Sequence, residues 1–377
     1  MCYLSYKFNA RFIFAYIMRL EELSLTNYKN IDSKSFEFKE NVICLVGDNG
    51  VGKSNILSSI YHLCFGKSFI NYSSASNIRF GAKFYMIQGT FNKNNVQEKL
   101  NFSYKNGNTK IFKRNGRMYK NISEHIGHFP LVIVSPNDND IIYGGSLFRR
   151  NLMDGIIGQT DKKFLKDLIS YKKTLTQRNA LLKMNYQKRK IDVGLLDIYD
   201  ESLIDAGNRI HGKRKSFLEI YTNIFRTYYL SISKNKESVE INFKSQLNNN
   251  NYRDLIKNSF ERDLLFQFTT QGPHKDDLEF LLNGFQIKKF GSQGQQKSLL
   301  ISLKLAQYEF LKKYLDVKPI VLLDDIFDKL DQKRVELIMQ LIEDKYFGQI
   351  FITDTDKYRV LKAIETTNLT YKIHEII

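Results

Sequence analysis

One short segment constrains the fold of this chain more than any other, the run Gly47-Asp-Asn-Gly-Val-Gly-Lys53-Ser54. It fits the pattern G-x-x-x-x-G-K-[ST], follows a continuous apolar run at 42–46 and precedes helical spacing over 54–65. A buried strand, a glycine-rich turn and a helix in this order are typical of a phosphate-binding loop. The glycines allow backbone N–H groups to surround phosphate oxygens, and the helix N-terminus adds a favourable dipole.

This P-loop motif predicts a role for each of its residues. Lys53 is expected to reach the β- and γ-phosphates of ATP, and the Ser54 hydroxyl is expected to coordinate Mg²⁺. The predicted nucleotide-binding residues of this segment are Gly47, Asp48, Asn49, Gly50, Val51, Gly52, Lys53, Ser54 and Asn55.

A second motif, Ile320-Val-Leu-Leu-Asp324-Asp325, is an apolar strand that ends in two acids, the Walker B pattern. Asp324 is predicted to hold Mg²⁺ through water. Asp325 is predicted to orient or deprotonate the attacking water, and together with Lys53 it forms the predicted catalytic pair. Such runs are common alone, but after a P-loop the pattern becomes specific.

Two further segments resemble motifs of the ABC-type ATPases. In Ser292-Gln-Gly-Gln295 the predicted nucleotide-binding residues are Ser292, Gly294 and Gln295, at the start of a helix. The segment is either a helix cap or a second anion site that closes over a partner's ATP. Asp331 lies where that superfamily has its D-loop, at the dimer seam, and it can also be a helix N-cap. The order of these motifs defines a head that is complete only as a dimer enclosing two ATP molecules.

The pattern along the chain predicts an α/β fold, an ABC-type P-loop ATPase head with an inserted helical lobe. We expect one sheet from two head segments, 18–147 and 259–377, with a helical lobe at 148–258 that ends in a hairpin and loose loop at 237–258. Residues 1–17 precede Met18 and are either a non-native or loose tail or an extra edge element.

The charge of the chain makes a polyanionic partner plausible, since 57 Lys and Arg against 40 Asp and Glu give a net charge of +17. Two stretches, 99–120 and 172–190, carry seven basic residues each and no acid. They are either DNA-contacting surfaces or solvated basic faces. The predicted DNA contacts are Lys110, Lys113, Arg114, Arg117, Lys172, Lys173 and Arg178. No apolar run has the roughly 20 residues of a membrane span, and three cysteines without metal-ligand spacing fit a reducing, cytoplasmic location.

Several strings beyond the ATPase motifs resemble the RecF family of bacterial recombination-mediator ATPases. They include 23–30 (Leu-Ser-Leu-Thr-Asn-Tyr-Lys-Asn), 144–154, 175–183, 272–277 (Gly-Pro-His-Lys-Asp-Asp) and 292–298. The chain departs from the family at 1–17 and at Asn137, where Glu is common. His274 is open between a role near the nucleotide and a structural hydrogen bond, and Arg149 and Arg150 are candidates for bracing the helical lobe.

The resemblance implies ATP-dependent homodimerisation, binding to gaps or single-strand/double-strand junctions in DNA, and slow ATP hydrolysis that acts as a timer. It also implies action with RecR and RecO in loading RecA at gaps, without nuclease activity. The alternative is another ABC-type ATPase whose ATP-bound dimer is recognised by a protein partner without specific DNA binding. A transporter ATPase subunit is disfavoured by the charge and by the missing switch histidine. A P-loop kinase or GTPase is disfavoured by the signature-like motif.

Overall fold

The computed structural model describes residues 16–70, 73–107, 109–188, 192–234, 237–326, 335–336, 339–340, 343, 347–365 and 367–377. The strands, in chain order, are β1 (Tyr16–Tyr28), β2 (Ile31–Glu37), β3 (Val42–Val46), β4 (Phe84–Lys93), β5 (Val96–Lys105), β6 (Thr109–Arg114), β7 (Arg117–Met118), β8 (Leu131–Val134), β9 (Val239–Lys244), β10 (Asp277–Leu282), β11 (Phe285–Gln286), β12 (Val317–Lys318), β13 (Ile320–Asp324), β14 (Ile350–Asp354) and β15 (Tyr371–Glu375). The α-helices are α1 (Lys53–Phe65), α2 (Ile122–His125), α3 (Asn139–Tyr143), α4 (Ser146–Thr160), α5 (Lys162–Lys188), α6 (Val193–Ser233), α7 (Tyr252–Asn258), α8 (Phe260–Phe266), α9 (Ile287–Phe290), α10 (Gln293–Leu315) and α11 (Lys357–Ile364). Among the described helices, none combines the length and apolar character needed to cross a bilayer.

A five-stranded parallel sheet carries the P-loop at the end of one of its strands. Its order is β15-β3-β14-β13-β8, so strands from before and after the helical segment lie side by side. This confirms the prediction of one sheet built from both parts of the chain. Strands β3, β13 and β14 are buried at every position, as their continuous apolar sequences predict. Strand β15 was not predicted, because an edge strand with several exposed polar side chains lacks that apolar pattern.

A second, mostly antiparallel sheet has the order β12-β1-β4-β5-β6-β7, with β2 also paired to β1. The predicted turn at Asn115-Gly116 joins β6 to β7, and both residues have the positive φ of a tight hairpin turn. Strand β1 begins at Tyr16, which pairs with Val317. The last two residues of the predicted extension are therefore part of this sheet, while 1–15 lie outside the described residues. Helix α1 packs between the two sheets through its buried apolar side chains.

Helices α4, α5 and α6 confirm the predicted helical section. Helix α6 packs along both α5 and α10, and its buried face is rich in aromatic side chains. The Tyr221 hydroxyl donates a hydrogen bond to the backbone carbonyl of Leu303 at 2.7 Å, which fixes α6 on α10. The helical section therefore rests directly on the helix that follows Ser292.

The hairpin predicted at 237–258 is wrong. Strand β9 pairs antiparallel with β10, more than 30 residues further along the chain, and 252–258 forms helix α7. Strand β9 pairs with β10 rather than forming the predicted local hairpin because alternate side chains of both strands share one buried face. The predicted strand at 349–353 and helix at 357–364 are confirmed within one residue. Most of the helix predicted at 331–347 lies outside the described residues.

Candidate active site

The loop between β3 and α1 has the conformation that its glycines permit. Gly47 and Gly52 have φ values of 152° and 108°. A Cβ atom at Gly47 would lie 2.2 Å from the carbonyl oxygen of Ile376, and one at Gly52 would lie 2.8 Å from Oδ1 of Asn30. Both backbone conformation and space therefore exclude a side chain at these positions.

Lys53 is the first residue of α1, and its side chain turns back into the loop. Its Nζ donates hydrogen bonds to the carbonyl oxygens of Gly47 at 2.7 Å and Asp48 at 2.8 Å, and only 5% of the residue is exposed. An ammonium has three donor hydrogens, so one remains for a phosphate oxygen even while both loop contacts persist. The loop is thus already folded around the charge that a phosphate would meet.

Ser54, Asp324 and Thr353 form a hydrogen-bonded group where the P-loop meets the ends of β13 and β14. The Ser54 Oγ and the Thr353 Oγ1 each donate to Oδ1 of Asp324 at 2.8 Å. Burial raises the pKa of Asp324, and these two hydrogen bonds act in the opposite direction. Hydroxyl and carboxylate oxygens are hard ligands of the kind that Mg²⁺ prefers, so the predicted metal-binding pair fits that ion.

Asp325 follows the strand in a left-handed backbone conformation, with φ of 48°. Its backbone N–H donates to Oγ1 of Thr353 at 3.0 Å, so one threonine contacts both acids of the motif. Such a conformation is uncommon outside glycine, and it is found at active sites, where it directs a side chain toward a ligand. Thr353 was not predicted as a site residue, although its place at the end of an apolar strand was an available signal.

The turn between β1 and β2 supports the P-loop from the side, which the sequence did not predict. The Asn30 side chain donates to the carbonyl of Gly50 at 3.1 Å and accepts from the Asn55 amide at 2.8 Å. Burial lowers the pKa of the adjacent Lys29 to about 8, and the negative charge of Asp324 acts against this shift. The only sequence signal for this support was the resemblance of 23–30 as a block.

Ser292 is the N-cap of α10, which confirms the capping interpretation of its motif. Its Oγ accepts a hydrogen bond from the Gln295 N–H at 3.3 Å, and Oε1 of Gln295 accepts from the Ser292 N–H at 2.7 Å. Ser292 is exposed, and since its Oγ acts as an acceptor, its hydroxyl hydrogen remains available. A nucleotide contact by Ser292, Gly294 and Gln295 is compatible with this geometry and stays a prediction.

The remaining predicted positions have varied outcomes. His274 forms hydrogen bonds with the Tyr171 hydroxyl at 2.7 Å and the Thr269 carbonyl at 2.9 Å, as its structural interpretation predicts, and burial lowers its pKa to about 4. Arg149 and Arg150 fasten α4 to the start of β10, through the Asp277 carboxylate and the Asp276 carbonyl respectively. Asn137 is exposed, and the D-loop residue Asp331 lies outside the described part of the chain.

The predicted DNA contacts divide into residues that are exposed and residues whose side chains form ion pairs within the fold. Lys110, Lys113, Arg117, Lys172 and Lys173 are exposed. The prediction for Arg178 is wrong, because its side chain is fully buried and ion-paired with Asp200 at 2.5 Å and Asp263 at 2.6 Å.

Arg114 is also engaged within the fold. It forms an ion pair with Glu98, and its guanidinium lies 5.8 Å from the ring centre of Phe129. A cation that already has a carboxylate partner and an aromatic face is a poor DNA contact. The structure therefore favours five of the seven predicted residues.

One lysine of each basic stretch acts electrostatically on residues at the end of α1. Burial lowers the pKa of His62 to about 3, and the positive charges of Lys29 and then Lys110 lower it further. The pKa of Lys67, just after α1, is lowered by desolvation and then by the charge of Lys172. Cations that are about 60 residues apart in sequence thus flank residues 62–67.

Comparison with known proteins agrees with the P-loop ATPase fold and with the resemblance found in the sequence. Residues 42–353 match the protein-family model described as "AAA domain, putative AbiEii toxin, Type IV TA system". The chain is 46% identical over 359 residues to the DNA replication and repair protein RecF of Flavobacterium johnsoniae, covering 95% of this chain and 100% of that protein.

Two solved structures have the same architecture. One is described as the recombination mediator protein RecF-ATP in the RecFOR pathway, with 33% identity, coverage of 91% of this chain and 93% of that chain, and a TM-score of 0.85. The other is the Smc head domain of Pyrococcus furiosus, with 16% identity, coverage of 96% and 94%, and a TM-score of 0.56. The latter likeness concerns the fold alone, that of an ABC-type ATPase head.

Proposed function

Because the chain belongs to the RecF family of DNA replication and repair proteins, it is a DNA-repair ATPase, and we propose that it is an ATP-gated DNA clamp. In this proposal ATP drives two copies together, the dimer binds DNA, and slow hydrolysis acts as a timer that releases it. No nuclease step is part of the cycle.

The observation that carries the proposal is the contact between the Ser54 hydroxyl and the Asp324 carboxylate at 2.8 Å. It brings the P-loop and the end of β13 together at the place where a nucleotide's β- and γ-phosphates would lie. Ser54 and Asp324 would hold Mg²⁺, which neutralises phosphate charge when bound. Lys53 binds the phosphates, and Asp325 orients the attacking water or accepts its proton.

The signature motif supports the dimeric part of the proposal. The N-terminus of α10 is exposed, with backbone N–H groups and the Ser292 hydroxyl hydrogen available to an anion. In the ATP-bound dimer Ser292, Gly294 and Gln295 of this helix end contact the γ-phosphate held by the partner's P-loop. The D-loop residue Asp331 contacts the same nucleotide. Each site is then complete only across the interface, so the nucleotide state controls association.

The exposed cations support the DNA part of the proposal. Lys110, Lys113, Arg117, Lys172 and Lys173 provide phosphate contacts without base-reading geometry, which suits binding to a structure such as a gap or junction rather than to a sequence. Action with RecR and RecO in loading RecA is the corresponding proposal for partners, and the solved structure described as belonging to the RecFOR pathway supports its RecR and RecO part.

The test of the proposal is nucleotide-dependent DNA binding. We expect a labelled gapped duplex to bind at least about ten-fold more tightly with ATP·Mg²⁺ than with ADP·Mg²⁺ or without nucleotide, because a dimer presents two basic surfaces to one DNA. Fluorescence anisotropy at one fixed salt concentration measures this. Equal affinity in all three states would reject gating and favour the second candidate, an ATP-bound dimer recognised by a protein.

A double variant, Lys172→Ala with Lys173→Ala, tests the proposed surface directly. We expect weaker binding to every DNA sequence and a plot of log affinity against log salt that is shallower by about 0.9 per lost phosphate contact. The matched control is Lys215→Ala with Lys257→Ala, which removes the same charge from exposed positions on α6 and α7. If both double variants change the slope equally, net charge rather than this surface governs binding.

A further inference from the structure

The signature segment is held in place by a residue from outside the motif. The side chain of Gln295 is used at both ends, since its Oε1 accepts from the Ser292 N–H and its Nε2 donates to Oε1 of Glu237 at 2.7 Å. The orientation of this amide, and with it the cap on α10, therefore depends on a carboxylate 58 residues earlier in the chain.

The same carboxylate is bonded to the helical section. Oε2 of Glu237 accepts a hydrogen bond from the Tyr229 hydroxyl at 2.7 Å, and Tyr229 is a fully buried residue in the last turns of α6. One carboxylate thus links the end of a 41-residue helix to the start of α10 through two charge-assisted hydrogen bonds.

The backbone beside Glu237 is also fixed. The Ser238 N–H donates to Oδ1 of Asn283 at 2.8 Å, and the Asn283 N–H donates to the Ser238 carbonyl at 2.8 Å. These bonds tie the start of β9 to the turn between β10 and β11. The half-buried carboxylate therefore has little freedom to move away from Gln295.

On the far side of the motif, Gln296 holds the loop that precedes Ser292. Its Nε2 donates to the carbonyls of Gly291 at 2.9 Å and Ile287 at 3.3 Å, and the residue is buried. Gln295 connects the motif to the helical section through Glu237, whose carboxylate bonds both the Gln295 amide and the Tyr229 hydroxyl. A displacement of the end of α6 would therefore reach the Ser292 cap through these hydrogen bonds as well as through the packing of α6 on α10.

We propose that Glu237 is a positioning residue for ATP hydrolysis, which couples the orientation of the helical section to the signature motif and acts on the nucleotide of the partner subunit. This inference rests on the proposed function, because it requires that Ser292 contacts the partner's ATP. Glu237 itself does not touch nucleotide. Its two bonds keep the Ser292 hydroxyl and the first N–H groups of α10 in the arrangement that closes the partner's site.

The first test compares Glu237→Ala with Glu237→Gln. We expect Glu237→Ala to bind a fluorescent ATP analogue as tightly as the parent chain, while ATP turnover falls about ten-fold, in keeping with the loss of a charge-assisted hydrogen bond. Glu237→Gln retains one acceptor oxygen and should lose only about three-fold. The matched control is Glu240→Ala, an exposed glutamate on β9, which should leave turnover and thermal unfolding as in the parent.

The decisive test mixes two defective proteins. Asp325→Asn keeps its own signature motif but cannot hydrolyse, whereas Glu237→Ala keeps its own P-loop and acids. In a mixed dimer the P-loop of the Glu237→Ala subunit faces the intact signature motif of the Asp325→Asn subunit. One of the two nucleotide sites is therefore complete. Turnover of an equal mixture should rise toward about a quarter of the parent rate, because about half of the dimers are mixed. A residue that acts on its own nucleotide, or only on folding, gives no such recovery.

Ser292→Ala separates failure of this inference from failure of the proposed function. If Ser292→Ala turns over ATP as fast as the parent, the motif does not act across a dimer and the proposed function fails. If Ser292→Ala is slow but Glu237→Ala is normal, or if Glu237→Ala is slow and the mixture does not recover, only the coupling role is overturned.

Discussion

Replacing Lys53 with alanine is expected to lower ATP turnover by at least about 100-fold and to abolish the ATP-dependent gain in DNA affinity. The ammonium is nearly buried in the P-loop, and no other Lys or Arg side chain comes from the loop itself. Loss of the one charge-assisted hydrogen bond to phosphate, together with the positive charge beside it, costs about 3 kcal/mol, and 1.4 kcal/mol is a factor of ten. Steady-state turnover and binding of a fluorescent ATP analogue measure the two effects.

The structure also predicts a cost to the loop in the absence of nucleotide. Lys53 satisfies the carbonyls of Gly47 and Asp48, so alanine leaves both without this donor. Lys53→Arg is the informative companion, because it keeps the charge but replaces a compact ammonium with a planar fork that fits this curled loop poorly. A melting curve for each variant distinguishes lost chemistry from lost folding. Turnover equal to that of the parent in a folded Lys53→Ala protein would reject the P-loop mechanism.

Where the structure brings predicted site residues together, the determinants of their positions are local. The P-loop, the two acids and the Ser292 cap each depend on residues within one turn of a helix or one strand end, so spacing alone defines them. The joining of β3, β14 and β13 into one sheet also follows, since fully apolar strands need cover on both faces and can obtain it only together.

Where the prediction failed, the determinants are distant in sequence. The partners of Arg178 lie 22 and 85 residues away, so a basic run in the sequence could not reveal that one of its members is buried. The alternating pattern of β9 is compatible with any neighbour that offers a matching face, and the sequence does not specify β10. The contacts of Asn30 with Gly50 and of Glu237 with Gln295 are equally non-local.

Arg178 therefore leads to a prediction about stability rather than DNA binding. Its Nε donates to the Asp200 carboxylate, and its Nη1 donates to the Asp263 carboxylate and the Thr269 hydroxyl; Asp263 is itself fully buried. Asp263 also accepts two hydrogen bonds from Thr270. Replacing one partner of such a buried network leaves uncompensated charge in the interior.

We expect Arg178→Ala to lower the free energy of unfolding by about 3–5 kcal/mol, because Asp263 then remains buried without its cation. Chemical denaturation followed by far-UV circular dichroism measures this loss. Arg178→Lys should recover only part of it, since a single ammonium cannot reproduce the fork that reaches both carboxylates. The exposed neighbour on the same helix provides the matched control, and Lys173→Ala should change stability by less than about 0.5 kcal/mol.

A second measurement distinguishes the buried basic residue of α5, Arg178, from the exposed pair Lys172 and Lys173. At a temperature where Arg178→Ala remains folded, its DNA affinity and salt dependence should equal those of the parent, because a fully buried guanidinium cannot reach a phosphate. The pair Lys172 and Lys173 should show the reverse pattern, with normal stability and altered salt dependence. A stable Arg178→Ala protein with weakened DNA binding would mean that α5 moves on DNA and exposes this side chain, contrary to its buried ion pairs with Asp200 and Asp263.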